Sequence, residues 1–392
     1  MFRDRGIVLL AIGQTLAWAG LYYSFPAMLL RWERELGWSK PDLMAAITMA
    51  VLISGLVSPL AGHFIDRGRG PSLMALSAIL GGVALVFLSM VSTLWQFYAI
   101  WAIIGLAMSG CLYEPCFALV TRARGADAKR SIIFITLIAG FASTISFPLV
   151  YTLAEAYGWR TTVVCFGLLV ILIVSPLLWL GARQIEFARD IDPARSTAGT
   201  DASEAFLKRP AFWFLAVGFS FVAIVHGATL HHLLPILNEY GLSSEIAVLA
   251  ASFIGPMQIA GRLAMMAADK YTSNHSIAVA AFMLMGAAVL LLMLSGSSPA
   301  FLSTSIILFG GAYGTVSILR PLIAREILGS QNFGAKSGAL ALPYLAGSAF
   351  APFLGALIWE IGGYDTLLSL LAGLAIIGCA MYVVSYRLAA RT

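Results

Sequence analysis

Apolar residues run along this 392-residue chain in long blocks separated by short polar turns, instead of recurring on one face at helical or strand period. A helix that is apolar all round is either deeply buried or surrounded by lipid. At 1.5 Å per residue, about 20 apolar residues cross the roughly 30 Å of hydrocarbon in a bilayer. Twelve segments qualify, at 7–30, 41–61, 72–93, 95–121, 131–155, 159–181, 210–235, 245–268, 275–296, 299–323, 337–360 and 366–387. The pattern predicts an all-α membrane protein with twelve transmembrane helices. The longest polar stretch, 183–209, mixes both charge signs with Ser, Thr, Ala and Gly and reads as a flexible linker. It divides the chain into an N-terminal six-helix bundle (1–182), a cytoplasmic linker (183–209) and a C-terminal six-helix bundle (210–392).

Composition excludes the soluble alternative. Sixty per cent of residues are hydrophobic and 11% charged, against roughly 25% charged in soluble domains. The four cysteines (Cys111, Cys116, Cys165, Cys379) lie in apolar segments without paired spacing, so neither a disulfide framework nor a zinc site is indicated. The N-terminal apolar run lacks a small-residue cleavage pattern and reads as a retained first helix.

The net charge of +5 follows from orientation. With a cytoplasmic N-terminus, 18 of the 24 Lys and Arg residues fall on the cytoplasmic side and four outside (Arg31, Arg34, Lys40, Arg160); Arg262 and Arg320 lie within spans. That bias is the positive-inside rule, and it places both termini in the cytoplasm. The expected location is a cell membrane of the bacterial inner-membrane kind. The basic balance therefore calls for no nucleic-acid partner, and no motif calls for a cofactor or metal.

The two halves repeat each other in order. Glu35-Leu36-Gly37-Trp38-Ser39 after span 1 matches Glu239-Tyr240-Gly241-Leu242-Ser243 after span 7. Gly110-Cys111-Leu112-Tyr113 matches Gly310-Gly311-Ala312-Tyr313. Lys129 precedes Gly140 as Lys336 precedes Gly347, by eleven residues, and Pro148 precedes Gly158 as Pro352 precedes Gly362, by ten. Asp66-Arg67 and Asp269-Lys270 follow spans 2 and 8. Two six-span repeats are the architecture of alternating-access carriers.

With these features the chain resembles the major facilitator superfamily. Gly62-His63-Phe64-Ile65-Asp66-Arg67-Gly68-Arg69 is similar to its signature loop between spans 2 and 3, one residue short after Arg67 and with Gly70 in place of a second basic residue. The resemblance makes Gly62, Asp66, Arg67 and Arg69 a candidate gating loop, with Asp66 near a helix terminus and the arginines on lipid phosphate or a neighbouring helix end. Glu35–Ser39, Gly158-Trp159-Arg160 and Gly255-Pro256-Met257-Gln258-Ile259-Ala260-Gly261-Arg262 bring it nearest the monocarboxylate and oxalate–formate carriers. That resemblance implies a carboxylate held on Arg262. It also puts Gln258 where the family carries an acid four residues earlier, which leaves family-type proton coupling open.

The residues themselves offer few charged candidates. A charge at the centre of a span costs at least about 2.5–3.5 kcal/mol and usually faces the protein interior. Arg262 lies six residues before the end of span 8, about 9 Å deep. Glu114 is the one acid well inside a span, readable as a proton acceptor or as a structural partner of Arg262 or Arg320. Pro115, directly after it, should break the helix one turn earlier. His226, His231 and His232 cannot share one face at 100° per residue, which argues against a metal triad; each is a hydrogen-bonded core residue or a cavity group. Tyr113, Tyr313, Tyr22, Tyr23, Gln14 and Gln258 add neutral hydrogen-bonding groups, and Arg320, before Pro321, reads as structural. The expected partners are membrane lipid and one small organic anion, carried by a monomer. An exporter of hydrophobic or cationic compounds, with Glu114 as the binding acid, is the alternative. A membrane receptor or scaffold would need soluble domains that are not evident, and no HExxH, paired carboxylate or phosphate loop points to an enzyme.

Overall fold

The structure is a computed structural model that describes residues 4–125, 128–187, 204–268, 271–329 and 333–390. Asp269-Lys270, most of the 183–209 linker and the Lys129 side chain lie outside the described residues. The chain divides into two compact units between residues 192 and 193.

Ten apolar helical runs emerge, and two of them are too long for one crossing. The N-terminal unit holds α1 (Arg5–Leu36), α2 (Lys40–Asp66), α3 (Gly70–Leu88) and α4 (Leu94–Arg124), followed by Arg130–Phe187. The C-terminal unit holds α7 (Pro210–Glu239), α8 (Ser244–Ala268), α9 (Asn274–Met293) and α10 (Pro299–Leu328), followed by Lys336–Ala389. Runs of 58 and 54 residues would extend about 80 Å or more, nearly three bilayer cores. Each is interrupted. Gly158 adopts φ 77°, ψ 163°, and Gly363 adopts φ 72°, ψ −175°, conformations that need a residue without a Cβ. Divided there, the runs become α5 (130–157) with α6 (159–187) and α11 (336–361) with α12 (364–389), giving six helices per unit. The two breaks fall at repeat-related positions, so α5–α6 and α11–α12 turn back with almost no loop.

Close helix approach in each unit follows from small residues, which substitute for a hydrophobic driving force in lipid. A Cβ added at Gly105 of α4 would collide with the Ala50 carbonyl of α2. One added at Gly261 of α8 would collide with Gly311 of α10, and one at Gly314 with the Gln258 backbone. Buried hydroxyls fasten further pairs: Ser175 Oγ donates to Ala75 O at 3.1 Å and Ser385 Oγ to Ala211 O at 2.6 Å. Where α7 ends, Trp359 Nε1 donates to Glu239 at 2.8 Å and Tyr240 OH donates to Asp365 at 2.6 Å. Burial, then the Asp365 carboxylate, push the Tyr240 phenol above its usual pKa.

The signature loop is a compact helix stop. Gly68 takes φ 78°, its N–H bonds Ile65 O at 2.9 Å, and the Arg69 N–H bonds Phe64 O at 3.0 Å, a Schellman arrangement. Asp66, Arg67 and Arg69 are exposed, and among the described residues none forms an ion pair. The arginine that grips the neighbouring helix end comes from α4 instead. Arg122 donates to Ile65 O at the α2 terminus and pairs with Glu186 of α6 at 2.9 Å. Arg124 pairs with Asp4 at 2.5 Å, where Asp4 also caps α1. Sequence reading missed this brace, because Arg122 and Arg124 counted only as cytoplasmic charge.

Candidate functional site

The N-terminal unit contributes two distorted helices. α4 breaks at Leu112 (φ −86°, ψ −152°). Pro115 has no N–H to give Cys111 O four residues earlier, so that carbonyl would be orphaned inside the bundle. Gln14 of α1 repairs it: its Nε2 donates to Cys111 O at 2.7 Å and reaches Leu112 O at 3.4 Å. The Gln14 Oε1 is buried and has no partner among the described residues. α1 widens to a π-helical turn at Ala19–Tyr23, and Ser146 Oγ of α5 donates to Ala19 O at 2.8 Å. Such turns redirect side chains. Here Trp18 contacts both Tyr22 (5.0 Å between ring centres) and Tyr113 (4.7 Å), and Tyr113 stacks on Phe117 at 4.8 Å. Glu114 follows on the exposed face of α4.

The C-terminal unit assembles a polar cluster around the α8–α10 crossing. The glycines at 261, 310, 311 and 314 let the two backbones touch, which brings Gln258 and Arg262, one turn apart on α8, against Gly314 of α10. Arg262 is 6% exposed and its Nε donates to Gly314 O at 3.4 Å. Tyr313, the preceding residue on α10, stacks face to face on His226 of α7, whose ring also lies 5.5 Å from Phe309. The Tyr313 hydroxyl bonds Tyr344 of α11 at 3.1 Å, and the Arg320 guanidinium sits 4.1 Å over the Tyr344 ring. Arg320 is thus held by an aromatic face within its own unit. Buried polar atoms of α7 and α8 without a hydrogen-bond partner among the described residues include His226 Nε2, Thr229 Oγ1 and Gln258 Nε2. Buried polar atoms are normally satisfied, and exceptions call for an explanation.

The other two histidines are hydrogen-bonded within the unit. His231 Nδ1 donates to Gly227 O at 2.9 Å. His232 Nε2 donates to Pro352 O at 2.9 Å and its Nδ1 accepts from Tyr364 OH at 3.1 Å, joining α7, α11 and α12. Among the described residues no three His, Cys, Asp or Glu side chains are grouped to hold a metal.

Of the residues singled out from sequence, Arg262, Gln258, His226 and Tyr313 converge within one unit. Tyr113 and Tyr22 join the Trp18 cluster in the other. Gly62, Asp66, Arg67 and Arg69 belong to the loop at the α2 terminus. Sequence reading missed Thr229, Tyr344 and Trp18, since a threonine or aromatic in an apolar span carries no local mark of its neighbours.

Known proteins place this arrangement in a family. A transporter of Aspergillus flavus, MFS transporter asaE, is 23% identical over 85% of this chain and 74% of its own length. Monocarboxylate transporter 12 of Xenopus laevis is 26% identical over 83% and 76%. Among solved structures, a bacterial homologue of the human lysosomal transporter Spinster superposes with TM-score 0.71 at 16% identity, covering 98% of this chain and 97% of that one. The nucleoside transporter NupG gives TM-score 0.71 at 14% identity, covering 97% and 99%. The description "Major Facilitator Superfamily" matches residues 10–328, most of the chain, and the protein belongs to that superfamily of multi-pass membrane transporters.

Proposed function

We infer that this transporter carries a small organic anion, a monocarboxylate, by alternating access, with the carboxylate docked on Arg262. The supporting observation is a buried guanidinium at the α8–α10 crossing, with the unpartnered Nε2 of Gln258 one turn away on α8. No Asp or Glu occurs in the apolar interiors of α7, α8 or α10. A guanidinium binds a carboxylate through two parallel hydrogen bonds, and low dielectric strengthens them. Gln258 and His226 would orient the rest of the solute, and Tyr313 would hold the His226 ring in place. The relationship to a monocarboxylate transporter supports the same class. Proton coupling would use a group other than the acid that Gln258 replaces. The Lys and Arg distribution supports cytoplasmic termini in a cell membrane.

The test is uptake of a radiolabelled monocarboxylate panel into proteoliposomes by wild type and Arg262→Gln. Uptake lost in the variant, with folding intact, is expected. Unchanged uptake overturns the assignment. The exposed Glu114 on α4 favours the second reading, an exporter of cationic compounds. Transport of lipophilic cations abolished by Glu114→Gln and untouched by Arg262→Gln would establish that reading instead.

A further inference from the structure

The end of the N-terminal unit braced by Arg122 and Arg124 carries a second cluster, outside the site proposed for the solute. Both acids there are already engaged, Glu186 with Arg122 and Asp4 with Arg124. Arg5 and Arg183 remain exposed, and neither forms an ion pair with any described residue. Packing brings the two stretches together: a Cβ at Gly6 would lie 2.9 Å from Ile185 and 3.3 Å from Gln184. The Arg183 guanidinium is held between rings on its own helix, 4.9 Å from Trp179 and 5.5 Å from Phe187. Phe187 is 79% exposed although it is a large apolar ring. On this face of α6 lies an open, shallow hollow of about 550 Å³ lined by Leu180, Arg183, Gln184 and Phe187, all of one helix. Below it Leu172, Pro176, Trp179 and Leu180 form an exposed apolar strip on α6. From Leu172 to Arg183 the strip is about 16 Å long, comparable to much of one extended acyl chain.

We propose that this face of α6 is a binding site for an acidic glycerophospholipid, with its phosphate on Arg183 and an acyl chain along the α6 strip. An unpaired cation at the edge of a lipid-facing apolar strip matches the two ends of such a molecule. The aromatic rings pre-orient the guanidinium and sit where Trp is favoured, at the membrane interface. Acidic lipids gather at the cytoplasmic surface, the side to which the Lys and Arg bias assigns Arg183. A free phosphate would use the cation and ignore the strip. The site is independent of what solute is carried.

The experiment measures thermal unfolding of the full-length protein in dodecyl maltoside micelles doped with phosphatidylglycerol or with phosphatidylcholine. Inorganic phosphate forms a third arm. Phosphatidylglycerol is expected to raise the melting temperature by several degrees over phosphatidylcholine, with inorganic phosphate inert. Arg183→Gln should weaken the apparent lipid affinity about fivefold, the effect of one basic residue near an anionic surface. Arg209→Gln, which removes an exposed charge from the other unit, serves as control and should leave it unchanged. Equal stabilisation by both lipids, or the same loss in Arg209→Gln as in Arg183→Gln, overturns the site. Stabilisation by inorganic phosphate equal to that by phosphatidylglycerol overturns the lipid as its ligand.

Discussion

Single buried polar groups decide much of this molecule, because lipid offers no water to satisfy a stray donor or acceptor. Gln14 shows the logic. Its amide exists in the structure as the partner of a carbonyl that Pro115 has deprived, and the two changes should be coupled. Gln14→Leu leaves Cys111 O without a donor and should cost about 1–3 kcal/mol. Pro115→Ala returns an N–H to the same carbonyl, so the double variant should recover part of that loss. A thermal-unfolding cycle on the four proteins checks this, and strictly additive effects would show that Gln14 serves something else. Arg122 makes a comparable case with charge. Arg122→Gln removes a bond to the α2 terminus and leaves Glu186 half-buried without its cation. A pair this accessible is partly screened, so a loss of about 1 kcal/mol is expected, shrinking at high salt. Salt-independent destabilisation would mean that packing of the arginine stem dominates.

At the level of helices, the sequence showed the spans well and their distortions poorly. The spans were legible because an apolar block of twenty residues has few alternatives. Their ends were less so. α3 stops at Leu88 and not near residue 93, since Ser89 Oγ turns back to bond Val86 O at 2.6 Å. The break in α4 was legible from Pro115, while its repair by Gln14, 97 residues away, was not. Nothing local marks the π-helical turn at Ala19–Tyr23, which depends on Ser146 of another helix. Arg262 stood out because a cation in an apolar run is conspicuous, whereas its platform, Gly314, needed coordinates. That platform yields a prediction for the element. At Gly314 a side chain would meet the Gln258 backbone, which cannot move aside like a flexible side chain. Gly314→Ala should therefore separate α8 from α10 and cost about 1–3 kcal/mol in thermal unfolding, with transport falling further as Arg262 loses its seat. Gly373→Ala, at a glycine with open space around it, should be nearly silent in both assays. A silent Gly314→Ala would refute the view that backbone contact positions the arginine.

For the whole chain, parity carries the strongest constraint. Twelve crossings return both termini to one side, but that count depends on dividing Arg130–Phe187 at Gly158 and Lys336–Ala389 at Gly363. Were the first run one crossing, every later loop would exchange sides, and the Lys and Arg residues after it would fall outside. The charge bias rejects that, because basic residues near span ends resist translocation. The two breaks thus make a joint prediction in which sequence symmetry and backbone geometry must agree. Tyr157 and Ile361, 67% and 86% exposed beside the two breaks, should face the same side, opposite to Arg67. Single cysteines placed at these three positions, with Cys111, Cys116, Cys165 and Cys379 replaced, report this through a membrane-impermeant maleimide on intact cells. Labelling at 157 and 361 with protection at 67 is expected. Protection at 157 with labelling at 361 would mean that the repeats do not turn alike. The two-repeat architecture, with the positive-inside orientation built on it, would then have to be abandoned.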